Sequence, residues 1–181
     1  MAANSLTNRI YVANGLDGTV SVLDGGTNAV LATGQVGPFP SHVAVNARTN
    51  RVYVSNRAGH TVSVLDGASN ALLATVVVGG IPDEIGVNET TDWVYAANAE
   101  GGLAVLDGGS NRLLTTVPVG REPQAIAVNA ATNRVYVVDG GDHTVWTLQE
   151  HRWGPPTARV ILRADPAALL PAEEAKQRRC A

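Results

Sequence analysis

Three segments of the sequence carry polar side chains at equivalent points around a proline. Ser41 and His42 follow Pro40, Asp83 and Glu84 follow Pro82, and Gln124 follows Pro123, with Arg121 two positions before that proline. An imidazole beside a carboxylate can act as a base with its orienting group, and the set as a whole can hydrogen-bond a polar ligand. The candidate ligand-binding residues are therefore Ser41, His42, Asp83, Glu84, Arg121 and Gln124.

Other residues that could do chemistry have simpler interpretations. Asp17-Gly18 and Asp139-Gly140-Gly141-Asp142 contain calcium-type ligands, but both stretches are typical of hairpin turns. His60 and His143 share one loop position of an internal repeat. The sequence lacks the H-E-x-x-H, P-loop, G-x-S-x-G and EF-hand patterns. We accordingly predict no catalytic residue, no metal and no cofactor.

Composition narrows the function classes further. The 181 residues are 45% hydrophobic with a net charge of −3, which is enough for a packed core and too mild to predict a nucleic-acid partner. No apolar run approaches the ~20 residues of a membrane span, and the N-terminus resembles no signal sequence, so the localisation is left open. The single cysteine, Cys180, excludes an intrachain disulfide.

The elements that position the candidate residues belong to an internal repeat. The segment Thr7–Val12, T-N-R-I-Y-V, returns in related form at 49–54, 91–96 and 132–137, with spacings of 42, 42 and 41 residues. All four tyrosines of the chain, Tyr11, Tyr53, Tyr95 and Tyr136, fall at one position of this unit. Such a period indicates a repeat architecture.

Each repeat resolves into four short strands rich in β-branched residues and bounded by Gly, Asn, Asp or Pro. The innermost strands are predicted at 42–45, 84–87 and 125–128, and the fourth strand of the last repeat at 158–162. Apolar residues occupy both alternating sets, which indicates sheets buried on both faces. Four antiparallel strands in about 40–45 residues, repeated, are typical of a β-propeller blade.

Three motifs carry a resemblance to a known family. The R-V-Y-V-x-N strand, the V-S-V-L-D-G strand and the V-G-x-x-P crossing resemble the YVTN-repeat family of β-propellers over roughly residues 1–150. The resemblance implies a propeller of about seven blades, often exported or at the cell surface, that acts as a binding or scaffold module. Related larger propellers include lactonase-like hydrolases and a streptogramin lyase, so an enzyme is a second implication.

The sequence therefore predicts an all-β, incomplete or half propeller of four four-stranded antiparallel blades. Residues 1–163 hold repeats at approximately 7–48, 49–90, 91–131 and 132–163, and residues 164–181 form a tail with helical composition at 173–179. Because an open arc would expose its end blades, three hypotheses stay open. The chain is a truncated remnant of a larger propeller, it pairs with a second copy into a ring, or its tail covers one open face.

Two function classes follow from this organisation. The first is a non-enzymatic binding or scaffold module with an unidentified ligand or protein partner, favoured because no catalytic motif is present. The alternative is a hydrolase or lyase that uses His42 and Glu84 at the mouth of the central channel.

Overall fold

The computed structural model of the chain describes residues 1–150 and 163–164, which form sixteen strands and no helix. In chain order the strands are β1 (Ala2–Asn4), β2 (Arg9–Asn14), β3 (Thr19–Asp24), β4 (Val30–Gln35), β5 (Pro40–Asn46), β6 (Arg51–Asn56), β7 (Thr61–Asp66), β8 (Leu72–Val77), β9 (Pro82–Asn88), β10 (Trp93–Asn98), β11 (Gly102–Asp107), β12 (Arg112–Pro118), β13 (Pro123–Asn129), β14 (Arg134–Asp139), β15 (Thr144–Gln149) and β16 (Arg163–Ala164).

The strands form four antiparallel sheets of four, each made from strands consecutive in the chain. We call them blade 1 (β1–β4), blade 2 (β5–β8), blade 3 (β9–β12) and blade 4 (β13–β16). The predicted all-β array of four four-stranded blades is confirmed, and the innermost strands lie where the repeat put them. Neighbouring innermost strands contact one another, so β1, β5, β9 and β13 form successive walls along one side of the array.

Each blade packs one face on its neighbour. We call the face that carries the repeated tyrosine the front and the opposite face the back. Tyr11 and Val22 on the front of blade 1 pack on Val52 and Val54 on the back of blade 2. The front of blade 2 packs in the same way on blade 3, and the front of blade 3 on blade 4. The apolar core is therefore three layers between blades.

The turn between the first two strands of each blade has one conformation. Asn8, Asn50, Asp92 and Asn133 all have a φ between 51° and 59°, which is the left-handed region that Asn and Asp tolerate best. His60 and His143 also have positive φ, at 56° and 54°, in the turns before β7 and β15. Their repeat partners are Gly18 and Gly101, so this turn is where the two histidines sit, as predicted.

A repeated hydrogen bond joins the blades at this turn. The last residue of each innermost strand is an asparagine whose Oδ1 accepts backbone N–H groups of its own turn. In blades 1–3 its Nδ2 donates to the turn residue of the next blade, as Asn4 does to Asn50 (2.9 Å) and Asn46 to Asp92 (2.7 Å). Asn88 donates likewise to Asn133 (3.1 Å). We call this contact the asparagine latch.

Blade 4 departs from the predicted pattern at its last strand. The sequence predicts the fourth strand of this blade at 158–162 and a tail from 164, but β16 pairs with β15 and places Ala164 opposite Leu148. In blades 1–3 the equivalent leucine pairs with a residue seven positions later, as Leu65 does with Leu72. Gln149 and Glu150 stand where the other blades have the Asp-Gly that closes this turn. The predicted strand at 158–162 and the helical tail lie outside the described residues.

The recurrence of one tyrosine per repeat predicts rings that are largely buried between blades, and this is confirmed for three of the four. Tyr11, Tyr53 and Tyr95 are at most 1% exposed, whereas Tyr136 is only half-buried. The first three rings pack against a following blade, and the front of blade 4 has no such blade among the described residues.

The tight packing between blades predicts an asymmetric response to charge in blade 2. Val54 is fully buried against blade 1 and Val77 on β8 is 70% exposed. Val54→Asp is expected to lower the free energy of unfolding by on the order of 4 kcal/mol or more, because an unpaired carboxylate enters an apolar layer. Val77→Asp is the control and should change it by less than about 0.5 kcal/mol. Urea unfolding followed by tryptophan fluorescence measures both; equal losses would contradict the packing.

A carboxyl group in blade 4, Asp139, is expected to make the stability of the fold sensitive to acid. Asp139 stands where blades 1–3 have Asn14, Asn56 and Asn98. Burial opposes its charge, but the N–H groups of Glu122, Arg121, Gly141 and Asp142 together hold the pKa of Asp139 below its usual value. The charged form therefore stabilises the fold above the unfolded pKa of about 3.9, and this is lost as pH falls through the lowered pKa.

Asp139→Asn tests this, because asparagine is already tolerated at the position in three blades. The variant should melt lower than the parent protein at pH 7, by about 2–4 °C. The difference should shrink as pH falls through the lowered pKa and vanish once the parent carboxyl is also neutral. Thermal melts between pH 2 and 7 measure it, and a constant difference across the range would show that the charge is irrelevant.

Candidate functional site

The innermost strands of blades 2, 3 and 4 begin with a β-bulge. In blade 2 the pairing jumps from Pro40 opposite Asn56 to Val43 opposite Val54, so Ser41 and His42 together face Ser55. The same irregularity occurs at the starts of β9 and β13. A bulge re-aims the side chains it contains, and here the bulges contain all the candidate residues except Arg121, which precedes β13.

The bulges bring His42 of blade 2 against blade 3. Its Nε2 lies 3.2 Å from a carboxylate oxygen of Glu84, and its Nδ1 lies 3.8 Å from a carboxylate oxygen of Asp83. The side chains of His42, Asp83 and Glu84 are 43%, 34% and 27% exposed, so a ligand can reach all three. We call this group the His42 corner.

The backbone of the His42 corner is held by buried hydroxyl groups. Ser55 is fully buried; its Oγ accepts the N–H of His42 (3.1 Å) and donates to the carbonyl oxygen of Asp83 (2.7 Å). Ser41 Oγ and His42 Nδ1 lie 3.1 and 3.0 Å from the same carbonyl oxygen. Hydrogen bonds from blade 2 thus fix the start of β9 in blade 3.

Ser55 was not among the predicted site residues. The repeat does contain a signal for it, because the equivalent positions in the other blades are Ala13, Ala97 and Val138. The sequence signal is a hydroxyl at this repeat position in blade 2 only, the blade whose bulge contains His42.

The hydrogen bonds also define what His42 can do. One ring nitrogen faces a carbonyl oxygen, which requires a proton on Nδ1, and the other faces the Glu84 carboxylate. Both nitrogens are therefore engaged within the protein. A histidine general base needs a ring nitrogen that is free to accept a substrate proton, and here both ring nitrogens face acceptor oxygens of the protein.

The other two candidate residues lie apart from the His42 corner. Arg121 is exposed, with its backbone N–H bonded to Asp139, and lines a cavity of about 360 Å³ with Ala99, Glu122 and Gly141. The Gln124 amide lies against Gly140 in the turn after β14. The structure thus groups Ser41, His42, Asp83 and Glu84, while Arg121 and Gln124 have no hydrogen bond or ion pair to them among the described side chains.

A second polar cluster lies at the opposite end of β9. Glu150 occupies the position of Gly25, Gly67 and Gly108, and its carboxylate accepts hydrogen bonds from the Tyr95 hydroxyl and from Asn88 Nδ2 (2.8 Å). Burial raises the pKa of Tyr95, and the hydrogen bond to Glu150 raises it further. Tyr95 and Glu150 are both at most 5% exposed. This cluster joins blades 3 and 4 and is inaccessible to a ligand.

Two kinds of feature are absent from the described part of the chain, a metal-type cluster and a membrane-spanning helix. No group of three or more His, Cys, Asp or Glu side chains there is placed to hold a metal ion. No helix there is long and apolar enough to cross a membrane.

Comparison with known proteins identifies the architecture. Hydrazine synthase from Kuenenia stuttgartiensis superposes with a TM-score of 0.74 and 18% identity, over 88% of this chain and 47% of that chain. The dihydro-heme d1 dehydrogenase NirN, solved in complex with DHE, superposes with a TM-score of 0.71 and 20% identity, over 92% of this chain and 37% of that chain. Both are β-propeller-type proteins, so this chain has a β-propeller fold.

The comparisons go no further than the fold. The chain spans less than half the length of either propeller chain. No family model matches the sequence, and no curated protein matches it.

The support that Ser55 gives to the His42 corner can be tested. Ser55→Ala leaves the His42 N–H and the Asp83 carbonyl with one partner fewer, so the free energy of unfolding should fall by about 1–3 kcal/mol. The fold should survive, because alanine occupies this position in blades 1 and 3. NMR spectra should show the His42 ring signals shifted and those of His143 unchanged. Unshifted His42 signals would contradict the proposed support.

Proposed function

We propose that the chain is a non-enzymatic β-propeller binding module whose ligand contacts the His42 corner. One observation carries the proposal: three ionisable side chains from two blades converge, partly exposed, on a backbone fixed by the buried Ser55. The framework around them repeats from blade to blade, while the residues after the crossing prolines differ. A constant scaffold with a variable rim is typical of recognition surfaces.

The chemistry of the His42 corner favours a ligand with a cationic donor group. Asp83 and Glu84 supply carboxylate oxygens that accept hydrogen bonds, and His42 is already bonded to both residues. Residues 1–150 hold 13 acidic and 7 basic side chains, so the surrounding field also attracts cations. A primary amine or a guanidinium, on a small molecule or a peptide, meets both conditions. The resemblance to YVTN-repeat propellers, which implies a binding or scaffold role, agrees with this proposal.

A titration tests the proposal directly. Agmatine and spermidine are added to the ¹⁵N-labelled protein, with citrate as the anionic control. Shifts are expected for residues 41–42 and 83–84 with both amines and for none of them with citrate. Glu84→Gln should weaken the amine affinity at least tenfold, which is the fold-change for about 1.4 kcal/mol. Glu100→Gln makes the same charge change at an exposed side chain outside the corner and should preserve the affinity.

Two results would contradict this function. Shifts confined to the turns at Asp24, Asp66 and Asp107 would place binding elsewhere. Equal weakening by Glu84→Gln and Glu100→Gln would indicate a diffuse charge effect without a defined site.

The alternative function is a hydrolase or lyase of the lactonase or streptogramin-lyase type, and the 3.2-Å contact between His42 and Glu84 is the observation in its favour. Under this alternative, turnover of lactone and ester substrates would be lost in His42→Gln. The binding proposal expects no turnover above the His42→Gln background with any of them.

A further inference from the structure

Two blade faces have no neighbour among the described residues, the front of blade 4 and the back of blade 1. Asn129 on the front of blade 4 is exposed, whereas its repeat partners Asn4, Asn46 and Asn88 are at most 1% exposed. Val138 on the same face is 42% exposed, whereas Ser55 and Ala97 at the equivalent position are fully buried. In the other blades, the equivalents of these two faces are buried in the three contacts between consecutive blades.

The front of blade 4 keeps the hydrogen-bond donors of the covered fronts. In the contact between blades 1 and 2, Asn4, Arg9 and Tyr11 donate to Asn50 and to the Gly67 carbonyl. In the next contact, Arg51 donates to Asn111 (2.9 Å). Blade 4 has the equivalent three donors, Asn129, Arg134 and Tyr136.

The back of blade 1 keeps the matching acceptors. Asn8 has the left-handed turn conformation of Asn50, Gly25 is the equivalent of Gly67, and Asn28 is the equivalent of Asn111 with the same conformation. Asn8 and Asn28 are both exposed. The two open faces thus carry the two halves of one contact.

The apolar residues of blade 1 match in the same way. Val52, Val54 and Leu65 on the back of blade 2 are at most 3% exposed. Their equivalents in blade 1 are Ile10, Val12 and Leu23, all half-buried. Covering them would remove from water the same kind of surface that stabilises the other contacts.

We propose that a second copy of the chain docks the back of its blade 1 on the front of blade 4. The contact repeats the one between consecutive blades, with Asn129 of one copy donating to Asn8 of the other. A front-to-back contact is heterologous, and two of them related by a twofold axis close eight blades into one ring. Eight blades lie within the range of known propellers. This inference does not depend on the proposed ligand.

Front-to-front and back-to-back pairings satisfy the faces less well. Two fronts would bring the donors Arg134 and Tyr136 against a second set of donors. Two backs would bring the acceptors Asn8 and the Gly25 carbonyl together. Unpaired donors or acceptors in a covered interface each cost about 1–3 kcal/mol. The front-to-back arrangement gives each of these donors the acceptor that its equivalent has between consecutive blades.

Sedimentation equilibrium of the full chain, at 1–100 µM, tests the proposal. The expected species has twice the monomer mass of 18.8 kDa. Val138→Asp alters the front of blade 4 and Val12→Asp the back of blade 1, and each alone should raise the dimer dissociation constant at least tenfold. Leu16→Asp changes a turn residue that is 93% exposed and should leave it unaltered.

A mixture of the two interface variants identifies which faces meet. Val12→Asp keeps an intact front and Val138→Asp an intact back, so an equimolar mixture should recover a dimer through one unaltered contact. Thermal melts of each variant confirm that both fold. A parent protein that stays monomeric at 100 µM would overturn the proposal, as would a Val12→Asp variant that dimerises alone like the parent.

Discussion

The structure depends on one constraint, that each four-stranded sheet has two apolar faces and must cover both. Val62 and Val64 of blade 2 pack toward blade 3, while Val52 and Val54 of the same sheet pack toward blade 1. A blade alone would expose both apolar faces to water, so it is stable only in a stack. The turns, the asparagine latches and the His42 corner all lie where stacked blades meet.

The polar contacts that join the blades solve a second problem within that constraint. Asn46 is fully buried, and a buried amide needs partners for both of its ends. Its oxygen bonds the turn of its own blade and its nitrogen bonds the next. Blade 4 has Glu150 where the other blades have the turn glycine. The Glu150 carboxylate accepts hydrogen bonds from Tyr95 and Asn88 of blade 3. One blade's departure from the repeat is compensated by its neighbour.

The His42 corner uses the same scaffold for a different purpose. The bulge at the start of the innermost strand in blades 2, 3 and 4 frees two residues from strict pairing, so their side chains can vary without altering the sheet. In blade 4 the equivalent of His42 and Glu84 is Ala125, and no comparable cluster forms there among the described residues. The site therefore belongs to one pair of blades, and the rigidity of the surrounding sheets holds its geometry.

The sequence by itself determined the blades. The period of about 42 residues, the tyrosine at one position and the Asn and Gly turns are local features, and strand alternation and turn chemistry depend on neighbouring residues. The tertiary structure decided what the repeat could not express. His42 and Glu84 are 42 residues apart, and their 3.2-Å contact depends on how two bulged strands lie in adjacent blades. Ser55, the Glu150 cluster and the displaced last strand of blade 4 likewise arise where one blade differs from the others. At such positions the partner is set by packing between blades, which no local pattern encodes.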